Sequence, residues 1–536
     1  MIKRIMVLGL SLCAAAGVFQ VSAAGQGARL DTKQIIVRLK DDGVRRIQAA
    51  RHNEAVPGIS LPDGTPLTFV RPFDGNGMVL RLPEAVSLQE AQAIAARLVA
   101  NGTAASAQAD KRMYPTLVPN DPDYLPGVVD SGQWNLFEDT GGIGMQSAWD
   151  LETGSVAGVI AQLDTGILSH RDLAAVRMLP GYDFFSGGLS NLNTQLDNDP
   201  ILGDPVGRDN NPTDPGDATV ENECAPGEPG AGGENSSWHG LSVASIMVAE
   251  SDNSIDMAGI DFAARLLPIR VLGKCGGSVS DVVDAIRWAA GFTVDGIPNP
   301  TPARILNLSL SGNGACTFEE QAAINDAVSA GAVVIVSAGN EDVDVATQSP
   351  ANCQNVVVVG ATLRDGSRAP YTNNGEEVDL SAPGGLTVND RNDRNDGIRV
   401  LSNLGTTVAG LDITGRIAGS SFSTAQVSAV ASLMLALNSS LTSSQVQDIL
   451  RLTTRAFPDA SCNASLCGSG ILDAAAALAG AADPTSVLGI RANTSGGGGC
   501  TVAATASGFD PVLLLLMVFA ASCCWQRRKH VFPPAR

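Results

Sequence analysis

Only four histidines occur in a chain of 536 residues, so few places can move a proton near neutral pH. His52 lies in an N-terminal region that reads as a separate small unit, and His530 lies in a basic tail. His170 sits close after Asp164, in Ser169-His170-Arg171-Asp172-Leu173. His239 opens a helical stretch, His239-Gly240-Leu241-Ser242-Val243-Ala244-Ser245, with a glycine leaving room beside the ring. Upstream, the apolar run Val159-Ile160-Ala161-Gln162-Leu163 ends in Asp164-Thr165-Gly166. That pattern puts a carboxylate at the carboxyl edge of a sheet, where α/β folds hold ligands. Downstream, Gly419-Ser420-Ser421-Phe422-Ser423-Thr424-Ala425 leads into a long helix of small residues. Its free N–H groups and positive end favour a developing oxyanion. Taken singly, these are a strand-end acid, a structural histidine and an N-cap serine. Taken together, an acid, a histidine (His170 or His239) and a helix-start serine form a combination far more specific than any one of them alone.

Such residues need a rigid frame. Between about 150 and 480, short apolar runs alternate with helical stretches. The runs Val156–Leu163, Ala264–Val271, Arg304–Leu308, Ala332–Val336 and Val356–Val359 predict strands. Leu241–Val248, Ser280–Ala290, Phe318–Ala330 and Ser423–Leu437 predict helices. This alternation predicts an α/β fold, a mainly parallel sheet between two layers of helices. Residues 25–117 predict a smaller α+β unit, with half-buried strands at Ile36–Lys40 and Met78–Leu82 and a helix between Ser87 and Val99.

The order acid, histidine, serine separates this chain from α/β-hydrolases and resembles the subtilisin family over roughly 130–480. Lesser motifs agree. Ile305-Leu306-Asn307-Leu308-Ser309-Leu310-Ser311-Gly312 resembles the family's cleft strand, which implies substrate contacts at Ser309, Leu310, Ser311 and Gly312. Val334-Ile335-Val336-Ser337-Ala338-Gly339-Asn340 resembles the segment that supplies the oxyanion-hole asparagine, here Asn340. Ser381-Ala382-Pro383-Gly384 resembles the turn before the serine motif. The resemblance implies a subtilisin-like serine endopeptidase with a three-layer fold, in which Ser421 is the nucleophile, His239 the general base and Asp164 the acid that orients it. Two departures bear on pocket shape and rate more than on the chemistry. Gly240-Leu241-Ser242 replaces Gly-Thr-His, and Ser420, Phe422, Ser423, Ala425 and Gln426 alter the serine motif. They also motivate an alternative, a catalytically weak relative that serves as a surface or binding protein. An esterase using the same three residues is a second alternative.

The resemblance further implies structural Ca²⁺. Asp172 matches a family ligand by its His-x-Asp-Leu setting. The loop Ser251-Asp252-Asn253-Ser254-Ile255-Asp256-Met257 matches the second ligand segment. Asn253 would give a side-chain oxygen, and Ser251, Ile255 and Met257 would give carbonyls. The acidic stretch from Asp197 to Asp217 shows no ligand spacing.

The ends speak of export. Lys3, Arg4, the apolar run Ile5–Phe19 and Val21-Ser22-Ala23-Ala24 read as a signal peptide over residues 1–24. Export permits disulfides. Six cysteines outside the signal peptide and tail allow fifteen pairings, of which Cys462 with Cys467 closes a short loop. In the light of the family, Cys316 with Cys353 would staple the cleft walls, and Cys224 could meet Cys275. Family position makes residues 25–117 a prodomain, at once folding helper and inhibitor, ahead of a peptidase domain over 118–483. A linker over 484–499 ends in four glycines, and the tail 500–536 pairs the apolar Val512–Trp525 with Arg527-Arg528-Lys529. The tail resembles a GlyGly-type sorting signal cut by a membrane protease, with a plain anchor as the alternative. A net charge of −20 argues against nucleic acid as a partner. Peptide substrates and a monomer are expected.

Overall fold

The computed structural model describes residues 31–489, apart from 41–51, 62–63, 74–75, 111–117, 126–131, 187–207, 227–229 and 388–395. The expected signal peptide, the glycine run and the C-terminal tail lie outside the described residues.

Residues 31–110 form a five-stranded antiparallel sheet with one helix. The strands are β1 (Asp31–Arg38), β2 (Ala55–Ser60), β3 (Pro66–Phe73), β4 (Gly77–Ser87) and β5 (Ser106–Ala109), in the order β2-β3-β4-β1-β5. Helix Leu88–Ala100 places Ala91, Ile94 and Leu98 at i, i+3 and i+7, and all three pack on Ile35, Val37 and Leu80. This unit thus has an apolar core of its own.

The larger unit is built on a seven-stranded parallel sheet. Its strands are β6 (Val159–Asp164), β7 (Tyr182–Asp183), β8 (Arg265–Arg270), β9 (Ile305–Leu308), β11 (Val333–Ser337), β13 (Val357–Thr362) and β14 (Leu380–Pro383), in the order β14-β13-β11-β9-β6-β8-β7. Two short strands, β10 (Gly312–Asn313) and β12 (Gln348–Ser349), pair antiparallel beside it. The antiparallel hairpin β15 (Ile398–Asn403) with β16 (Asp412–Ile417) leads to the serine motif.

Burial on both faces explains the uniformly apolar strands. Ile160, Leu266, Ile305, Val333 and Ile335 face the helices His239–Val248 and Ser420–Leu437. Their neighbours Ala161, Leu267, Leu306 and Val334 face the helices Val279–Ala289 and Phe318–Ser329. The three-layer α/β expectation therefore holds.

Several element boundaries differ from the sequence pattern. Strand β6 begins at Val159, not Val156, because Gly158 N–H closes a turn on the Ser155 carbonyl and leaves Val156 exposed. The histidine helix opens at His239 as expected, while the serine helix begins at Ser420, three residues before the expected Ser423, and takes in Ser421 within its first turn. The expected linker starts as a short helix, Pro484–Leu488, with proline at its first position and Gly489 at φ 65° ending it.

After β6 the chain fills one side of the sheet, with β7 at the edge and β8 between it and β6, then crosses to β9, β11, β13 and β14 on the other side. The carboxyl end of β6 is thus the switch point of the sheet, where a crevice opens.

Candidate active site

Asp164 is the last residue of β6 and is buried. Its Oδ1 accepts the Thr165 N–H at 2.8 Å and the His239 Nδ1–H at 2.7 Å. With Nδ1 donating, the other ring nitrogen, Nε2, is left as the base.

His239 is the first residue of its helix, and its side chain keeps 21% exposure. Trp238 before it sits at φ 50° and is held by its indole N–H, which donates to the Gly405 carbonyl at 2.7 Å. Gly240 is required by a close approach. A Cβ there would lie 1.9 Å from the Gly166 carbonyl oxygen in the turn after Asp164. The glycine serves the strand-to-helix contact, and that contact brings acid and imidazole together. Burial, the largest influence on the His239 pKa, lowers it. The charge and hydrogen bond of Asp164, with Asp217 and Asp214 beyond, more than offset this and leave it above its ordinary 6.5.

Ser421 follows Ser420 at the start of the Ser420–Leu437 helix. The Ser421 hydroxyl donates to the Ser309 carbonyl at 3.2 Å, while the Ser309 hydroxyl donates to the Ser421 carbonyl at 2.9 Å. The nucleophile candidate is thereby clasped to the end of the cleft strand. Among the described residues its hydroxyl makes no hydrogen bond to His239. The next residue, Phe422, lays its ring 5.8 Å from the imidazole, centroid to centroid.

Asn340 follows Gly339, which is at φ 98°. Its amide oxygen accepts from both the Ser420 N–H and the Ser420 hydroxyl at 2.8 Å. Fixing the oxygen leaves the NH₂ end as the donor available to a ligand. The Ser420 hydroxyl is itself 2.6 Å from that of Ser337. The serine-motif departures have structural partners as well. The Gln426 amide donates to the Pro383 carbonyl at 2.6 Å and accepts from Asn135 at 3.1 Å.

After β9, Ser309 is buried, Leu310 and Ser311 are half-buried and Gly312 is exposed in β10. Gly312 pairs with Ser349 across to β12, so this segment ends beside the main sheet rather than within it. The cysteines pair as Cys224–Cys275, Cys316–Cys353 and Cys462–Cys467, with Cα separations of 5.4, 5.2 and 5.5 Å.

The expected calcium residues converge in part. The Asp172 carboxylate accepts from the Asn253 amide at 2.8 Å and the Met257 N–H at 3.0 Å. Ser251 and Ile255 lie in the same loop, where Asp252, Ser254 and Asp256 have positive φ. Among the described residues no three His, Cys, Asp or Glu side chains form a metal cluster. A cation here would draw on the Asp172 carboxylate and on carbonyl oxygens; the Asn253 amide turns its NH₂ to Asp172 and its oxygen to the Ile255 N–H, 2.7 Å away. The Asp172 carboxyl is pushed up to about 7, first by burial and then by Asp256 and Asp121, against the Met257 N–H and the Asn253 amide. A buried carboxylate so placed fits a hard cation. Asp121 is also buried here and accepts the Asp252 N–H at 2.8 Å.

Residues 157–494 match the model of the Subtilase family. The chain belongs to the subtilase family. It is 39% identical over 417 residues to the extracellular protease of Xanthomonas campestris pv. campestris, covering 77% of this chain and 66% of that protein. It is 36% identical over 422 residues to the extracellular basic protease of Dichelobacter nodosus, covering 76% and 64%. The chain thus spans slightly less than two thirds of the length of these two relatives. A solved structure of a protease from Pseudoalteromonas arctica PAMC 21717 superposes with a TM-score of 0.61 at 40% identity, covering 68% of this chain and all of that one. The fold is therefore subtilisin-like.

Sequence reasoning missed several residues that this subtilase gathers at the site. Thr165, Ser237 and Ser420 supply bridging hydroxyls, and Asp214 supplies a buried carboxylate. Thr165 and Ser420 each adjoin a triad candidate, and Ser237 lies two residues before His239. That adjacency was the available signal.

Proposed function

We propose that the chain is a secreted serine endopeptidase. The observation that carries this reading is the 2.7 Å hydrogen bond between His239 and Asp164 beside a helix start that presents Ser421. The chemistry requires the Ser421 hydroxyl to turn from the Ser309 carbonyl to His239 Nε2. Resting structures often hold such contacts loosely. His239 then takes the hydroxyl proton as Ser421 Oγ bonds to the peptide carbonyl carbon, and Asp164 steadies the imidazolium. The Asn340 NH₂ and the Ser421 N–H, which has no partner among the described residues, would receive the oxyanion. His239 returns its proton to the leaving amine, giving an acyl-enzyme that water hydrolyses by the same steps in reverse. Ser309, Leu310, Ser311 and Gly312 would border the acyl side of the substrate.

Asp172, Asp121, the Asn253 amide oxygen and the carbonyls of Ser251, Ile255 and Met257 would hold a calcium ion. When bound, that ion supplies the positive charge the buried carboxylates lack. Residues 25–117 are assigned as prodomain, 118–483 as peptidase domain, and the two ends as a signal peptide and a sorting tail. The extracellular relatives support export, and a monomer acting on peptide substrates is the assembly in keeping with this.

A fluorophosphonate probe tests the central claim. The processed protein should label, and Ser421→Ala should not. Folded protein that resists the probe would favour the surface or binding-protein reading.

A further inference from the structure

The acidic stretch ending at Asp217 carried no ligand pattern, yet its described part runs against the triad. The Ile167 N–H donates to the Pro212 carbonyl at 2.9 Å, and the Asp214 N–H to the Ile167 carbonyl at 3.1 Å. This lays residues 212–214 along the turn that follows Asp164. Asp214, 1% exposed, accepts the Thr165 hydroxyl at 2.7 Å. The same Thr165 oxygen accepts the Gly240 N–H at 3.0 Å. Three residues on, the Asp217 carboxylate accepts the N–H and the hydroxyl of Ser237, both at 2.6 Å. The Ser237 oxygen in turn accepts the His239 N–H at 3.2 Å.

The first N–H groups of any helix lack intrahelical partners. Here the residue at the N-cap position, Trp238, offers no side-chain cap. The two leading N–H groups, on His239 and Gly240, instead each end on a carboxylate of one loop through a single hydroxyl. We propose that Asp214 and Asp217 are positioning residues for the His239–Asp164 pair, a double carboxylate–hydroxyl yoke that fixes where the histidine helix begins and how its ring meets the acid. The inference rests on His239 acting as the base.

Negative charge at a helix start stabilises that start, and the same charge reaches the imidazole. Around His239, burial acts downward, while Asp164 from β6 and Asp217 and Asp214 from the loop act upward. The serine helix faces the ring with Phe422, which is uncharged. The hairpin meets residues 236–238 through the carbonyls of Gly405, Thr406 and Thr407. Asp214 is pushed up to about 7 by burial, opposed by the Thr165 hydroxyl, the Gly216 N–H and the cation Arg270, while Asp217 adds to the rise. Its charge therefore grows through the neutral range, while its acceptor role toward Thr165 persists in either state.

The test follows the imidazole itself, by NMR titration of the histidines in the full chain carrying Ser421→Ala. It is paired with the pH profile of kcat/KM in the active background. Asp217→Asn should lower the His239 pKa by about half a unit or more and move the acidic limb of activity down with it. Asp214→Asn should lower it at neutral pH and above, with little change below about pH 6. Ser237→Ala keeps the charge, so the pKa should move little while kcat falls several-fold. Because Asp214 is buried, Asp217→Asn and Ser237→Ala carry the test should Asp214→Asn not fold. An imidazole that titrates unchanged in folded Asp217→Asn, with kcat unaltered in Ser237→Ala, would overturn the proposal. If the parent fails to turn over peptide while these shifts appear, the peptidase reading fails and the yoke stands.

Discussion

Replacing Gly240 by alanine tests the geometry at its tightest point. The added Cβ would sit 1.9 Å from the Gly166 carbonyl oxygen and 3.0 Å from its carbon, both backbone atoms that no side-chain rotation can clear. Contacts of a real Cβ begin near 3.0 Å, so the turn after Asp164 and the histidine helix must part by about 1.1 Å. Carried to the acid–imidazole pair, that movement opens the 2.7 Å bond between His239 and Asp164 beyond hydrogen-bond range. The Gly240 N–H bond to Thr165, now 3.0 Å, would be lost as well. A misplacement of this size costs ~10²-fold in rate where a catalytic pair is positioned by packing. The assay is kcat/KM on a chromogenic peptide amide, with active-site titration by a fluorophosphonate to count competent molecules. The loss should fall on kcat, because Ser309 to Gly312 are not displaced. A folded Gly240→Ala protein with kcat/KM within about threefold of the parent would refute the reasoning, since it would mean the acid and imidazole need not be held so closely.

Three further outcomes follow from the same geometry. Asn340→Ala should lower kcat by ~10²–10³-fold with KM little changed, since the lost donor acts on the oxyanion and not on bound peptide; steady-state kinetics will check it. The raised His239 pKa places the acidic limb of kcat/KM above pH 6.5, because activity needs the neutral ring and protonation now persists to higher pH; a pH–rate profile with its limb below 6.5 would contradict this. Chelation should lower the Tm, and more so as pH rises. The folded Asp172 carboxyl is raised from 3.8 to about 7, so in the absence of a cation its ionisation between those values favours the unfolded state. Calcium protection should therefore be small near pH 4 and full above pH 7, and should vanish in Asp172→Ala, as differential scanning calorimetry with and without chelator would record.

The strands and most helix interiors were legible because period and burial leave a local imprint. Ile160 and Ala161 face opposite layers, and both had to be apolar. Asp164, His239, Ser421 and Asn340 were legible as candidates because each sits in a short contiguous motif. What was not legible depends on partners distant in the chain. Asp214 reaches Thr165 across 49 residues, and Asp121 reaches Asp252 across 131. Neither pairing leaves a trace in its neighbours. The start of the serine helix was misjudged for the same reason. Neither site helix begins with a side-chain cap of its own, and the histidine helix and Ser420 are held by groups from elsewhere. Capping rules that look a few residues upstream could not see them.

The parallel sheet carries a consequence for timing. Strand β6 lies between β8 and β9, pairing Ile160 with Leu266 on one side and Ile305 on the other, so the crevice exists only after remote stretches of chain have docked in register. Contacts of that span are slow to assemble because loop closure precedes any gain from burial. As the exported peptidase proposed above, the chain would therefore stay inert toward its neighbours until the last of these joins is made. A transient helper that shortens this interval would also govern the moment at which cutting begins.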